Sequence, residues 1–62
     1  MVSMNNETSL ADRLKIWRKR RKITQAQAAT ILQASIDTVR SWEQGKAIPS
    51  TVSQQFIFSK GV

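Results

Sequence analysis

The stretch that decides the fold is TQAQAATILQASIDTVRSWEQG, residues 24–45. Thr24 and Gln27 have the spacing of a capping box, in which a hydroxyl and a side-chain amide each satisfy a free backbone group at a helix start. The residues that follow, up to Leu32, are rich in alanine, the residue with the highest intrinsic helix propensity. Ala28, Ala29 and Leu32 share one face. The first part of the stretch therefore predicts a short helix with a narrow buried side.

A second helix is predicted to follow after a turn of about three residues, 33–35. Ser35 is a suitable N-cap, and Gly45 can end the helix in a left-handed conformation. Val39 and Trp42, spaced i, i+3, should face the core. The remaining surface is mixed and mostly polar, with Ile36, Asp37, Arg40, Ser41 and Gln44. Two short helices joined by so tight a turn have helix-turn-helix geometry.

A further helix is predicted before this pair. Ser9 and Asp12 have capping-box spacing, and the apolar residues that follow recur on one helical face. These residues are Leu10, Leu14 and Trp17. We expect the helix to end near Lys22. The preceding residues 1–8 are polar and have no basic start followed by an apolar stretch, so we expect a flexible segment and no secretory signal.

The segment after Gly45 leaves two alternatives open. Pro49 ends any earlier helix, and Ser50 can cap a fourth helix carrying Val52, Phe56 and Ile57. The same segment is also rich in strand-forming residues, but the i, i+4 spacing of Val52 and Phe56 favours a helix. The expected fold is all-α, a compact bundle of four or five short helices. Residues 9–62 form one domain, with the helix-turn-helix at 24–45.

Composition narrows the function. Ten Lys or Arg against four Asp or Glu give a net charge of +6, and the chain has no His and no Cys. Without these residues we expect no disulfide, no metal site and no cofactor, and no carboxylates are paired for acid–base catalysis, so an enzyme is not expected. The longest apolar run is a triplet, whereas a membrane span needs about 20 residues. We therefore expect a cytoplasmic protein.

The positive charge is concentrated in residues 13–22, which contain seven of the ten basic residues and no acidic residue. A phosphate-facing surface explains this cluster. A solvated helix face and a surface for anionic membranes remain alternatives, because charge alone does not distinguish them.

The chain resembles the Cro and phage-repressor type of helix-turn-helix domain, the XRE family, over roughly residues 10–50. The ordered motifs that carry the resemblance are Leu14, Trp17-Arg18, Ile23-Thr24-Gln25, Ala29, Leu32, Ser35, Thr38-Val39, Trp42-Glu43, Gly45-Lys46 and Pro49-Ser50. The chain departs from the family at Lys22 and Gln33, where glycine is common, and at Ala28, where leucine is usual.

The resemblance implies a set of site residues. Arg18 and Glu43 match a pair that ties the first helix to the third. Arg40 can donate two hydrogen bonds to guanine, and Asp37 can either accept one from cytosine or orient Arg40. The positions that face base edges in the major groove are Ile36, Asp37, Arg40 and Ser41. The positions that bind phosphate are Gln25, Thr38 and Lys46.

The resemblance also implies a function: a regulator that binds double-stranded DNA and represses by occupying an operator through the helix 35–44. A homodimer, formed either in solution or only on DNA, would use Ile57, Phe58 and Val62, unless these residues complete the monomer core. An antitoxin-type autorepressor uses the same domain. A basic protein-interaction or membrane-surface module without sequence-specific DNA binding is the remaining alternative.

Overall fold

Four helices and no strand are present in residues 9–62, the part of the chain that this computed structural model describes. In chain order they are α1 (Leu10–Arg21), α2 (Gln25–Leu32), α3 (Ile36–Gln44) and α4 (Thr51–Ser59). The prediction of an all-α fold is confirmed, and the last segment is a helix rather than a strand. The predicted flexible segment 1–8 lies outside the described residues.

Each helix begins at a hydroxyl-bearing N-cap, Ser9, Thr24, Ser35 or Ser50. At α2 the Thr24 hydroxyl accepts a bond from the Gln27 backbone at 3.1 Å, and the Gln27 side chain accepts one from the Thr24 backbone at 2.8 Å. This completes the predicted capping box. At α1 the Ser9 hydroxyl accepts from the Asp12 backbone, while the Asp12 carboxylate lies 3.7 Å from Lys15. The local sequence therefore fixes where the helices start.

The core lies where α1, α2 and the second half of α4 meet. Its buried members are Leu14, Trp17, Ala28, Leu32 and Ile57. Leu10, Ile23, Ile31, Trp42 and Val62 pack against them and are partly buried. Val39 on α3 and Ala29 on α2 are also buried, as predicted.

The structure decides between the two alternatives for Ile57 and corrects the expectation for Val52. Ile57 is only 1% exposed, so it completes the monomer core and cannot serve as the exposed dimer contact. Val52, predicted to share the buried face with Phe56, is 76% exposed. The reason is rotational: side chains five residues apart point about 140° apart on a helix, so directing Ile57 into the core turns Val52 outward. Val62 packs on the core, whereas Phe58 remains 38% exposed.

Both connections around α2 contain a residue in the left-handed conformation. Lys22, with φ 57°, follows α1, and Gln33, with φ 56°, follows α2. The backbone N–H of each returns to carbonyls of the last helical turn. This geometry permits turns of only a few residues on either side of α2. It also places residues with a side chain in a backbone conformation that glycine adopts with less strain.

We expect Lys22→Gly and Gln33→Gly each to raise the free energy of unfolding by about 1 kcal/mol, because glycine relieves the left-handed strain. The double variant should gain about 2 kcal/mol, since the two turns share no partner. Urea denaturation measures both. Lys19→Gly, within α1, is the control and should cost about 0.5–1 kcal/mol. A loss of stability at positions 22 and 33 as well would contradict the strain argument.

Candidate nucleic-acid interface

Helix α3 has two different sides. Val39 and Glu43 are buried against the rest of the domain. Asp37, Arg40 and Gln44 are exposed. Ile36 and Ser41 are half-buried at the border between the two sides. Four of the residues predicted to read bases thus share a helix whose outer surface is polar and accessible: Ile36, Asp37, Arg40 and Ser41.

A bidentate ion pair anchors α3 to α1. Arg18 Nε donates to Glu43 Oε2 at 2.8 Å, and Arg18 Nη2 donates to Glu43 Oε1 at 3.1 Å. Arg18 Nη1 also donates to the Ile23 carbonyl at 3.4 Å. The hydrogen bond to Glu43 raises the pKa of Arg18 above its ordinary value. One guanidinium therefore joins α1, the connection to α2, and α3.

The side chain of Gln25 links this ion pair to the outer face of α3. Its Nε2 donates to Glu43 Oε1 at 3.2 Å, and its Oε1 accepts from Arg40 Nε at 3.3 Å. Arg40 Nη1 in turn lies 3.5 Å from Asp37 Oδ1. Arg40 is thus supported by an amide from α2 and by a carboxylate from its own helix. Both supports leave guanidinium N–H groups for another partner.

The contact between Gln25 and Arg40 is absent from the sequence prediction, which assigned Gln25 to phosphate alone. The two residues are fifteen positions apart and on different helices. Asp37 and Arg40, in contrast, have the i, i+3 spacing from which their pairing was predicted as one of two alternatives. Only the docking of α2 against α3 creates the Gln25 contact.

The three residues predicted to bind phosphate lie at different places. Gln25 is the first residue of α2, where the backbone N–H groups of the first turn have no intrahelical acceptor. Lys46 is exposed just after α3. Thr38 is half-buried, its hydroxyl 2.8 Å from that of Ser35, and it lines a groove beside α4. The structure brings Gln25 next to Arg40, whereas Thr38 occupies the flank of α3 that faces α4.

Among residues 9–62, no group of three or more acidic, His or Cys side chains is arranged to hold a metal ion. No helix in the same part of the chain is long and apolar enough to cross a membrane.

A family model described as a helix-turn-helix domain matches residues 9–54. The match includes α1, α2, α3 and the beginning of α4, which is more than half of the chain. The chain therefore belongs to this helix-turn-helix family, in agreement with its resemblance to the XRE type. Searches of the curated proteins and of the solved structures return no significant match. Membership of the family indicates a DNA-binding regulator, and such domains are typically not enzymes.

Proposed function

We propose that the protein is a sequence-specific transcriptional regulator of the Cro-like repressor type, which occupies an operator with α3 in the major groove. The observation that carries this proposal is the position of Arg40. It is exposed on α3, held by Asp37 and Gln25, and retains free donors. Such a regulator would act in the cytoplasm, on the nucleoid.

Base recognition is assigned to the outer side of α3. A supported arginine suits guanine, whose O6 and N7 accept two parallel hydrogen bonds. Asp37 has the role of orienting Arg40, because its carboxylate lies 3.5 Å from the guanidinium and also offsets that charge. Ile36 offers an apolar surface to a thymine methyl group, and Ser41 offers a hydroxyl to either base type.

Phosphate binding is assigned to Gln25, Lys46 and Thr38. Because the Gln25 amide is engaged by Glu43 and Arg40, its backbone N–H at the start of α2 is the better phosphate donor. Lys46 supplies a charge close to α3. Phosphate contacts of this kind make affinity fall with salt, at a log–log slope of about −0.9 per contact.

A homodimer on DNA is part of the proposal, with half-sites about one helical turn apart. Ile57 and Val62 pack in the monomer core and the Phe58 ring is covered by Arg13, so we place the contact instead at the connection between α3 and α4. Ile48 there is 78% exposed, and Val52 at the start of α4 is nearly as exposed. Exposed aliphatic side chains beside the reading helix suit a contact between two copies bound to adjacent half-sites.

Replacing Arg40 with alanine should weaken binding to a duplex selected from random DNA by about 5- to 150-fold, the equivalent of about 1–3 kcal/mol. Binding to random duplex should change little, because no base contact is lost there. Fluorescence anisotropy measures both, and the mass of the complex with the selected duplex gives its stoichiometry.

Lys46→Ala is the control for Arg40→Ala. It also removes one exposed positive charge, but it should weaken selected and random duplexes to a similar degree and reduce the salt slope by about 1. If Arg40→Ala also weakened both duplexes equally, Arg40 would contact phosphate rather than bases. A basic module without sequence preference would then explain the protein better.

A further inference from the structure

A second basic surface lies on the side of α1 that does not face α3. Arg13, Arg20 and Arg21 line a groove of about 450 Å³ together with Ile16, Trp17 and the C-terminal residues Gly61 and Val62. We refer to it as the arginine groove. It is formed because the turn after α4 returns to α1, where Trp17 Nε1 and Arg21 Nη2 both donate to the Lys60 carbonyl at 3.3 Å.

Helix geometry separates this groove from the ion pair that holds α3. Successive residues turn about 100° around a helix, so residues two apart point nearly opposite ways. Ile16 and Arg20 each lie two positions from Arg18, which points to Glu43 on α3. The arginine groove therefore opens away from Arg18. On the proposed function, on which this inference rests, the groove stays accessible when α3 occupies DNA.

Arg13 and Arg21 are held by contacts to backbone oxygens and aromatic rings and not by side-chain carboxylates. Arg13 donates to the Val62 carbonyl at 2.8 Å and lies 4.3 Å from the centre of the Phe58 ring. Arg21 lies 5.2 Å from the Trp17 ring. The side-chain carboxylates of residues 9–62 each lie beside another cation, in the pairs Asp12–Lys15, Glu43–Arg18 and Asp37–Arg40.

Contacts to rings and backbone oxygens restrict the side chains of Arg13 and Arg21 and leave most of their guanidinium donors unused. Restricted guanidinium groups lose less conformational entropy on binding, and their paired N–H groups match a carboxylate. The groove also has an apolar part, since Ile16 is 46% exposed. A ligand that fits both parts carries carboxylates next to an aliphatic side chain.

We propose that the arginine groove binds an acidic peptide segment of a partner protein, with glutamate or aspartate on the arginines and an apolar side chain against Ile16. A nucleic acid backbone has the charge, but its sugar carbons offer Ile16 less apolar surface than an aliphatic side chain does. A membrane surface requires several apolar side chains that protrude, whereas Ile16 is half exposed and Trp17 beside it is only 6% exposed. The groove thus gives a DNA-binding domain a site for a protein partner.

The test uses a fluorescent glutamate-rich peptide with a central leucine, titrated into the full chain, and the same peptide with glutamine for glutamate. We expect the glutamate peptide alone to bind and to shift the Trp17 indole N–H signal in NMR spectra. Arg20→Glu should weaken it by about tenfold or more, since a charge-assisted hydrogen bond is lost and a repulsion is gained. Replacing the central leucine with serine should weaken it as well.

Lys19→Glu is the matched control, because it makes the same charge change at the adjacent exposed position, outside the groove. It should weaken the peptide far less than Arg20→Glu does. Equal losses for the two variants, or no binding of the glutamate peptide, would overturn the proposal.

Two further measurements distinguish the peptide from other ligands, and they distinguish failure of the peptide proposal from failure of the proposed function. If selected duplex DNA displaced the peptide, the groove would bind phosphates, and the proposal would be overturned. If the peptide did not bind and Arg20→Glu abolished binding to phosphatidylserine vesicles, the groove would bind a membrane, which would also overturn the proposal. The peptide should bind equally well to the protein on its duplex. If the peptide binds the groove while Arg40→Ala shows no selective loss, the regulator function fails and the peptide site stands.

Discussion

Replacing Glu43 with alanine is expected to lower the free energy of unfolding by about 2–4 kcal/mol, near the lower end of what the loss of one partner costs a buried ion pair. Glu43 is buried and accepts hydrogen bonds from Arg18 and Gln25. Its removal leaves the Arg18 guanidinium, four-fifths buried, without its anionic partner. Urea denaturation followed by tryptophan fluorescence measures the loss.

A double variant distinguishes the lost ion pair from a lost packing contact. Arg18→Met with Glu43→Leu replaces the pair by apolar side chains of similar volume, which is often close to neutral. We expect it to recover most of the stability that either single alanine variant loses. If its loss were instead the sum of the two single losses, Arg18 and Glu43 would contribute independently, and their hydrogen-bond geometry would not explain the stability.

The ion pair should contribute equally across the neutral pH range. Because the pKa of Arg18 is raised in the folded protein, its contribution is fully present below the pKa of the unfolded chain. It is lost only as the pH rises through the still higher folded-state pKa. Titration of Arg18 therefore adds no pH dependence near neutrality.

Replacing Ile57 with alanine should cost about 2–4 kcal/mol, within the range for truncating a fully buried aliphatic side chain. A chain of 62 residues has a total stability of only about 3–9 kcal/mol, so the variant should be close to unfolding at moderate temperature. The reason is position: Ile57 fixes the second half of α4 against Leu14, Trp17 and Leu32 in the core. Thermal unfolding followed by circular dichroism measures the effect.

Val52→Ala on the same helix is the control for Ile57→Ala. Val52 is mostly exposed, so its truncation should change the free energy of unfolding by less than about 0.5 kcal/mol. Similar losses at positions 52 and 57 would mean that α4 packs through its first turn, contrary to the structure.

Much of this fold can be predicted from the amino-acid sequence alone. The helices and their starts are determined by local sequence signals, such as the hydroxyl N-caps and the capping box of Thr24 and Gln27. Such signals can be recognised without a structure. Gly45 ends α3 as predicted. The helix-turn-helix family could also be recognised from the sequence, because its motif residues occur in a fixed order along the chain.

The features that could not be predicted depend on how the helices dock. The spacing of Val52 and Phe56 identifies a helix but does not show which of its faces is buried. In the structure Ile57 lies in the core and Val52 is exposed. The bridge from Gln25 to Arg40 requires the start of α2 to lie beside α3. Which arginines of the basic cluster form the groove also depends on tertiary structure, because the turn after α4 packs against only some of them.

The bridge through Gln25 has a consequence for redesign. On the proposed function, exchanging Arg40 for another residue also removes the donor to Gln25 Oε1, while the Gln25 side-chain amide stays bound to Glu43. Positions 25 and 40 are therefore coupled by a hydrogen bond although they belong to different helices. A library intended to give this domain a new operator should vary both positions together.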